Sequence, residues 1–201
     1  KAGFSVKGFS YLLTQQPNQF MDDPSDDTIT LSKMVQICQN DKLYKSYVEL
    51  PIKCQKDGEN FDLVKVAKTI TPASTLNGGD PIVVGLFSSS AQPSKTALCV
   101  YKLADIRKAF TDNIKICYEA NGTLAAQFKD GSCRRDSASI GDDFCGPFEY
   151  YNSPLAGEVP LVTQSSHVYE ETDITALALD TVGEDTVAFL GTNDGHVIKV
   201  I

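Results

Sequence analysis

Short runs of alternating apolar and polar residues, separated by Gly, Pro, Asn and Asp, dominate the chain. The clearest lie near its end: Ile174-Thr175-Ala176-Leu177-Ala178-Leu179, Thr186-Val187-Ala188-Phe189-Leu190 and His196-Val197-Ile198-Lys199-Val200-Ile201. Asn193-Asp194-Gly195 separates the last two. Gly accepts the positive φ that a tight hairpin turn demands, so these segments predict an antiparallel meander. Upstream, residues 9–13, 30–38, 47–50, 61–70, 82–87 and 97–101 predict further strands. Pro51, Pro72 and Pro81 punctuate them, because Pro is poorly tolerated inside a central strand. One short helix is predicted over residues 103–110, where Leu103, Ile106 and Phe110 recur at helical spacing on one face. Two stretches predict surface loops. Residues 18–27 carry Asp22, Asp23, Asp26 and Asp27 around Pro24, and residues 131–160 are rich in Gly, Ser, Asp and Pro.

About nine short strands make an all-β fold: a sandwich, a barrel or a propeller. A propeller blade takes about 40–45 residues, so 201 residues would hold roughly three to five blades. No clean repeat appears at that period, and pattern alone leaves the all-β architecture open. The chain lacks an initiator Met and stops inside the strand-like run 197–201. It is therefore expected to be an excerpt of a longer protein. Within it, no apolar run approaches the roughly 20 residues of a membrane helix. A membrane span is expected outside it.

Charge narrows the function. Lys plus Arg number 18 and Asp plus Glu 26, a net charge of −8. Nucleic-acid binding needs clustered cations to displace counterions from phosphates, so no nucleic-acid partner is expected. Candidate chemistry is sparse. His167 and Glu170 are three apart, but their surroundings lack a helical stripe and a lone pair is a poor zinc site. Adjacent Asp142 and Asp143, read as strand residues, would point to opposite faces and could not converge on one bond. The 18–27 acidic stretch does not follow an EF-hand order, and a solvated loop is the more ordinary reading. No catalytic, cofactor-binding or metal residue is singled out, and the chain is expected not to be an enzyme. The cysteines say more. Cys38, Cys54, Cys99, Cys117, Cys133 and Cys145 are even in number and never spaced C-x-x-C, which fits disulfides and an oxidising compartment. Asn121-Gly122-Thr123 is an N-glycosylation sequon between Cys117 and Cys133.

Three segments resemble the sema domain of plexins, the cell-surface receptors for semaphorins. Lys33-Met34-Val35-Gln36-Ile37-Cys38-Gln39-Asn40-Asp41, leading to Tyr44-Lys45-Ser46-Tyr47-Val48-Glu49-Leu50-Pro51-Ile52-Lys53-Cys54, is the most specific. Ala97-Leu98-Cys99-Val100-Tyr101-Lys102-Leu103-Ala104-Asp105-Ile106 is similar to the family's stretch that opens a helix. Asp143-Phe144-Cys145-Gly146, with Thr175-Ala176-Leu177 and Val187-Ala188-Phe189-Leu190-Gly191-Thr192-Asn193-Asp194-Gly195, resembles its closing region. The resemblance implies the later middle part of a seven-bladed β-propeller. Residues 1–201 would be a fragment of a single sema domain with one short helix and a disulfide-closed insertion. It implies the pairs Cys38–Cys145, Cys54–Cys99 and Cys117–Cys133; arithmetic alone leaves 15 connectivities open. It also implies an extracellular, cell-surface module that binds semaphorin and takes part in cell and axon guidance, with a homodimer or co-receptor as a further partner. Ligand contacts are not implied at any residue. The sema domain of a hepatocyte-growth-factor-receptor-type kinase is the alternative within this fold. A secreted propeller enzyme is the alternative from another class.

Overall fold

The computed structural model describes residues 2–17, 30–72, 79–120, 140–145, 155–170 and 172–201. These residues hold fourteen strands and one helix. Packing divides the chain into two compact units. One takes Lys1–Ala2, Lys53–Asp105 and Val162–Ile201; the other takes Gly3–Ile52 and Ile106–Leu161.

The first sheet runs β1(Ala2–Val6), β2(Phe9–Pro17), β3(Thr30–Cys38), β4(Val48–Lys56) and β10(Leu161–Gln164), in that order. Along β2 the period is two. Phe9, Tyr11 and Leu13 are buried, while Leu12 between them is exposed. β2 and β3 pair antiparallel from Phe9 opposite Cys38 to Pro17 opposite Thr30. β5(Glu59–Phe61) returns against β4 through the turn at Asp57-Gly58. β9(Leu155–Ala156) pairs parallel to β4, with Leu155 opposite Val48. The two-residue β9 lies inside the predicted loop 131–160. Its residues are both buried, but two positions carry no readable period. β1 and β10 were likewise too irregular or too short to predict.

The predicted strand 61–70 is two strands. β5 ends at Phe61 and β6(Leu63–Ile70) pairs with β7(Ile82–Ser88) instead. Between them the Asp62 carboxylate accepts a hydrogen bond from the Ser90 N–H at 3.3 Å, so a polar anchor stands where the chain changes sheets. The second sheet has the order β11(His167–Tyr169), β8(Thr96–Lys102), β7, β6. The third is the predicted meander: β12(Ile174–Val182), β13(Asp185–Thr192) and β14(Val197–Val200). Gly195 in its last turn has φ 89°. Val84, Leu86 and Leu98 of the second sheet form one core with Ile174, Leu177, Ala188 and Leu190 of the third.

The helix α1(Leu103–Ala120) is longer than predicted. Thr111-Asp112-Asn113 are weak helix formers, which is why periodicity appeared to stop at Phe110. Tertiary bonds compensate. Asn113 Nδ2 donates to the carbonyls of Ala109 and Val159, at 2.8 and 3.0 Å, and its Oδ1 accepts the Val159 N–H at 3.0 Å. Gly157 is held close to this side chain: a Cβ there would sit 2.6 Å from Asn113 Oδ1. The buried stripe Leu103, Ile106, Phe110, Ile114 and Cys117 continues well past the weak turn. Phe110 lies 5.9 Å from the Tyr11 ring, which stacks on Phe4 at 4.9 Å.

β3 and β4 are buried on both faces, and Lys33 is only 1% exposed. Lys33 stands opposite Pro51, and Glu49 opposite Val35, so the two charged residues share a face. Lys33 Nζ donates to Glu49 Oε1 at 2.7 Å, and Tyr47 Oη donates to Glu49 Oε2 at 2.7 Å.

Removing one member strands the other's charge in the interior, which costs about 3–5 kcal/mol. Lys33→Met alone is therefore expected to lower unfolding stability by about that amount. Lys33→Met with Glu49→Leu and Tyr47→Phe should recover most of the loss. Urea unfolding of the protein carrying this segment, as a mutant cycle, measures both; equal losses in single and triple variants would contradict the account.

A second expectation concerns alkali. Among the described residues the fully buried Tyr11 hydroxyl has no hydrogen-bond partner, and burial pushes its pKa from 10.0 up to about 12. The phenolate is disfavoured in the fold, so this contribution is complete below pH 10 and is lost as pH rises through 12. A two-unit shift corresponds to about 3 kcal/mol. Tyr11→Phe should flatten this part of the alkaline loss, measured as urea midpoints from neutral pH upward. An unchanged alkaline slope would count against it.

Candidate interaction surface

The disulfides set the frame. Cys38, the last residue of β3, is joined to Cys145 with their Cα atoms 6.0 Å apart. Cys54 of β4 is joined to Cys99 of β8 at 5.9 Å. Their sequence separations are 107 and 45, so the chain-entropy model gives them effects of about 5 and about 4 kcal/mol. Tyr101 Oη donates to the Lys53 carbonyl at 2.9 Å beside the second bond. Cys117 of α1 is disulfide-bonded. Cys133, the Asn121 sequon and the acidic stretch 18–27 lie outside the described residues.

Asp142 and Asp143 are in a turn, inside the predicted loop 131–160, so the strand-face argument made for them does not apply. The turn is closed by the Phe144 N–H donating to the Gly141 carbonyl at 3.0 Å. Arg107 Nη2 of α1 donates to the Asp142 carbonyl at 2.9 Å and to Asp143 Oδ1 at 2.5 Å. Thr111 Oγ1 donates to Asp142 Oδ1 at 3.3 Å. The guanidinium also lies 5.6 Å above the Phe9 ring. Both residues thus dock the segment 140–145 on the helix.

The remaining polar candidates are similarly engaged. His167 sits on strand β11 with its ring 4.6 Å from Tyr169. Glu170 pairs with Lys95 at 3.3 Å, and Lys95 also holds Glu59 at 3.1 Å. Lys65 pairs with Asp173. Asp194 accepts from the Thr192 hydroxyl and lies 3.1 Å from His196 Nδ1; these partners hold its carboxyl down to about 2. Among the described residues, no three or more His, Cys, Asp or Glu side chains converge as a metal site. A cavity of about 200 Å³ between the second and third sheets is lined chiefly by Ile82, Val84, Leu98, Leu179 and Val200 and carries little polar surface.

The loop from β3 to β4 was passed over in the sequence reading. Its centre is Asp41. Oδ1 accepts the Leu43 N–H at 3.0 Å, while Oδ2 accepts the Ser46 N–H at 2.6 Å and the Ser46 hydroxyl at 2.7 Å. Ser46 Oγ in turn accepts the Cys38 N–H at 3.0 Å, beside the Cys38–Cys145 bond. Desolvation acts to raise the Asp41 carboxyl, but hydrogen bonds from Ser46, Leu43 and Lys45 outweigh it and hold it below its ordinary value. The Gln39 N–H donates to the Gly8 carbonyl at 2.9 Å, fixing the loop's start to the turn before β2. At the tip, Leu43 is 71% exposed and Tyr44 69%. Tyr44 has φ 55°, the left-handed region that bulky side chains rarely occupy. The readable signal was an apolar pair between turn-forming Asn40-Asp41 and Ser46.

Residues 64–201 match the Sema domain family, well over half of the chain. The chain is 32% identical to plexin A3 of Danio rerio and 27% identical to plexin-A2 of Homo sapiens. Each alignment covers 98% of this chain and 11% of the relative. The chain thus spans about a tenth of the length of these curated relatives. Among solved structures, the plexin A4 extracellular region aligns with a TM-score of 0.84 and 27% identity, over 98% of this chain and 23% of that one. A structure of Drosophila Plexin A in complex with Semaphorin 1b aligns at 0.67 with 13% identity, over 98% and 43%, a likeness of fold. The strand-rich architecture with one helix is therefore that of part of a sema β-propeller, and the chain belongs to the Sema domain family.

Proposed function

We propose that residues 1–201 are a piece of a single sema domain in the ectodomain of a plexin-like receptor. Its partner is semaphorin, and its role is ligand binding at the cell surface for cell and axon guidance signalling. The carrying observation is the Sema family match over 64–201, together with the likeness to the plexin A4 extracellular region over 98% of the chain. The semaphorin assignment draws on the Drosophila Plexin A structure, whose bound protein is Semaphorin 1b. The physical features agree with this reading. Disulfides fit an oxidising exterior. The rigid strands and anchored loops suit a broad protein interface, which needs no reactive group.

The test is direct. The receptor ectodomain containing residues 1–201 is immobilised, and semaphorin ectodomains of each class are passed over it. Saturable binding by at least one class is expected. A folded ectodomain that binds none would overturn the receptor reading.

The same reading places an N-linked glycan on Asn121 and a disulfide between Cys117 and Cys133, closing a solvent-facing insertion. Intact mass of secreted protein should fall on enzymatic deglycosylation, and Asn121→Gln should remove one glycan's worth of that change. Peptide mapping under non-reducing conditions should recover Cys117 linked to Cys133. An unshifted Asn121→Gln mass, or a different Cys117 partner, would reject the respective assignment.

A further inference from the structure

We propose that the β3–β4 loop tip is a contact point for semaphorin, with Leu43 and Tyr44 entering an apolar recess and Lys42 and Lys45 facing carboxylates at its rim. The inference rests on the receptor reading above and adds the surface. Several exposed large apolar side chains are described, and only Leu43 and Tyr44 among them are adjacent in sequence. Single exposed apolar residues are ordinary, whereas a contiguous pair on a braced loop is not.

Three observations support a protein contact. The tip is preorganised: Asp41 holds it through Leu43 and Ser46, and Ser46 ties it to Cys38 at the end of β3. A preorganised anchor loses little conformational freedom on binding. Tyr44 is held at φ 55° although a tyrosine gains nothing locally from that conformation. The strained backbone carries the ring outward, where it is 69% exposed. Tyr is among the residues most enriched at binding hot spots. Lastly, Lys42 and Lys45 flank the pair on a chain whose net charge is −8, so the tip is a local basic feature complementary to an acidic rim. Two lysines are too few to hold a loop on an anionic bilayer, where stable attachment takes a polybasic stretch or an acyl chain. This favours a protein partner over a membrane surface.

The experiment uses the intact ectodomain and a semaphorin ectodomain shown to bind it. Tyr44→Asn, in which Asn tolerates the left-handed backbone, and Leu43→Ser with Tyr44→Asn are compared with wild type by surface plasmon resonance. A rise in Kd of about tenfold or more, mostly through faster dissociation, is expected for the double variant. Lys42→Glu with Lys45→Glu should slow association and reduce its salt dependence. Val182→Asn with Val197→Asn, exposed apolar positions elsewhere, should leave binding unchanged. Thermal unfolding of each variant reports folding; if the double variant is unfolded, Tyr44→Asn alone decides. Wild-type binding with unaltered tip variants overturns the contact and leaves the receptor reading standing. No wild-type binding to any semaphorin overturns the receptor reading and the contact with it. Tip-dependent sedimentation with phosphatidylserine vesicles, alongside unaltered semaphorin binding, overturns the contact in favour of a membrane role.

Discussion

A strand buried on both faces must neutralise every polar side chain it carries, and β3 and β4 are such strands. Nearly every residue from Ser32 to Cys38 and from Val48 to Cys54 is buried or half-buried. Lys33 and Glu49 satisfy the requirement only in one register, the one that sets Lys33 against Pro51 and Val35 against Glu49. A slip of one residue would put the two charges on opposite faces. Well-packed apolar residues would stabilise the pair of strands at least as well, so the gain from the ion pair lies in register. Register at this point also fixes what is attached to it. β9 lies against Val48 and Glu49, and the Gly157 N–H donates to the Glu49 carbonyl at 2.6 Å.

From that strand pair, the polar groups carry order outward. The Glu49 backbone holds Gly157, Asn113 holds Val159, and the helix is thereby secured where its own sequence is weakest. Arg107, one turn from the start of α1, then draws in Asp142 and Asp143, and Cys145 beyond them closes onto Cys38. The circuit returns to the end of β3. Its closing covalent bond spans 107 residues, the kind of constraint that removes most freedom from the unfolded chain.

Long elements were legible, whether one face or both are buried. The span 30–38 is β3 to the residue, and the closing meander has its hairpin turn at Asp194-Gly195. Elements whose stability comes from elsewhere were not. β9, β10 and β11 hold two, four and three residues, too few for alternation to register. The second half of α1 is helical because Asn113 bonds across to Val159, and no local propensity reports that bond. The docking of Asp142 and Asp143 was hidden for the same reason. Their neighbour Arg107 is 35 residues away from Asp142 in sequence, and only the fold brings it near. For the cysteines, spacing could exclude a zinc ribbon but could not select a pairing. At the loop tip, pattern showed only an apolar pair between turn-forming residues, because exposure, backbone strain and bracing are properties of the folded loop.

The charged groups described in detail are already matched. Glu49 has Lys33 and Tyr47, Asp41 has Ser46 and Leu43, Asp142 has Thr111, and Glu170 has Lys95. Their chemistry goes into positioning backbone. What such a scaffold presents outward is shape: loop tips and strand faces whose geometry is set by buried bonds. The β3–β4 loop shows the consequence in one place. The hydrogen bonds that quiet Asp41, from Leu43 and Ser46, bracket Tyr44, whose φ is positive and whose ring is exposed. Satisfying the polar interior and building an interaction surface are, at this loop, the same physical act.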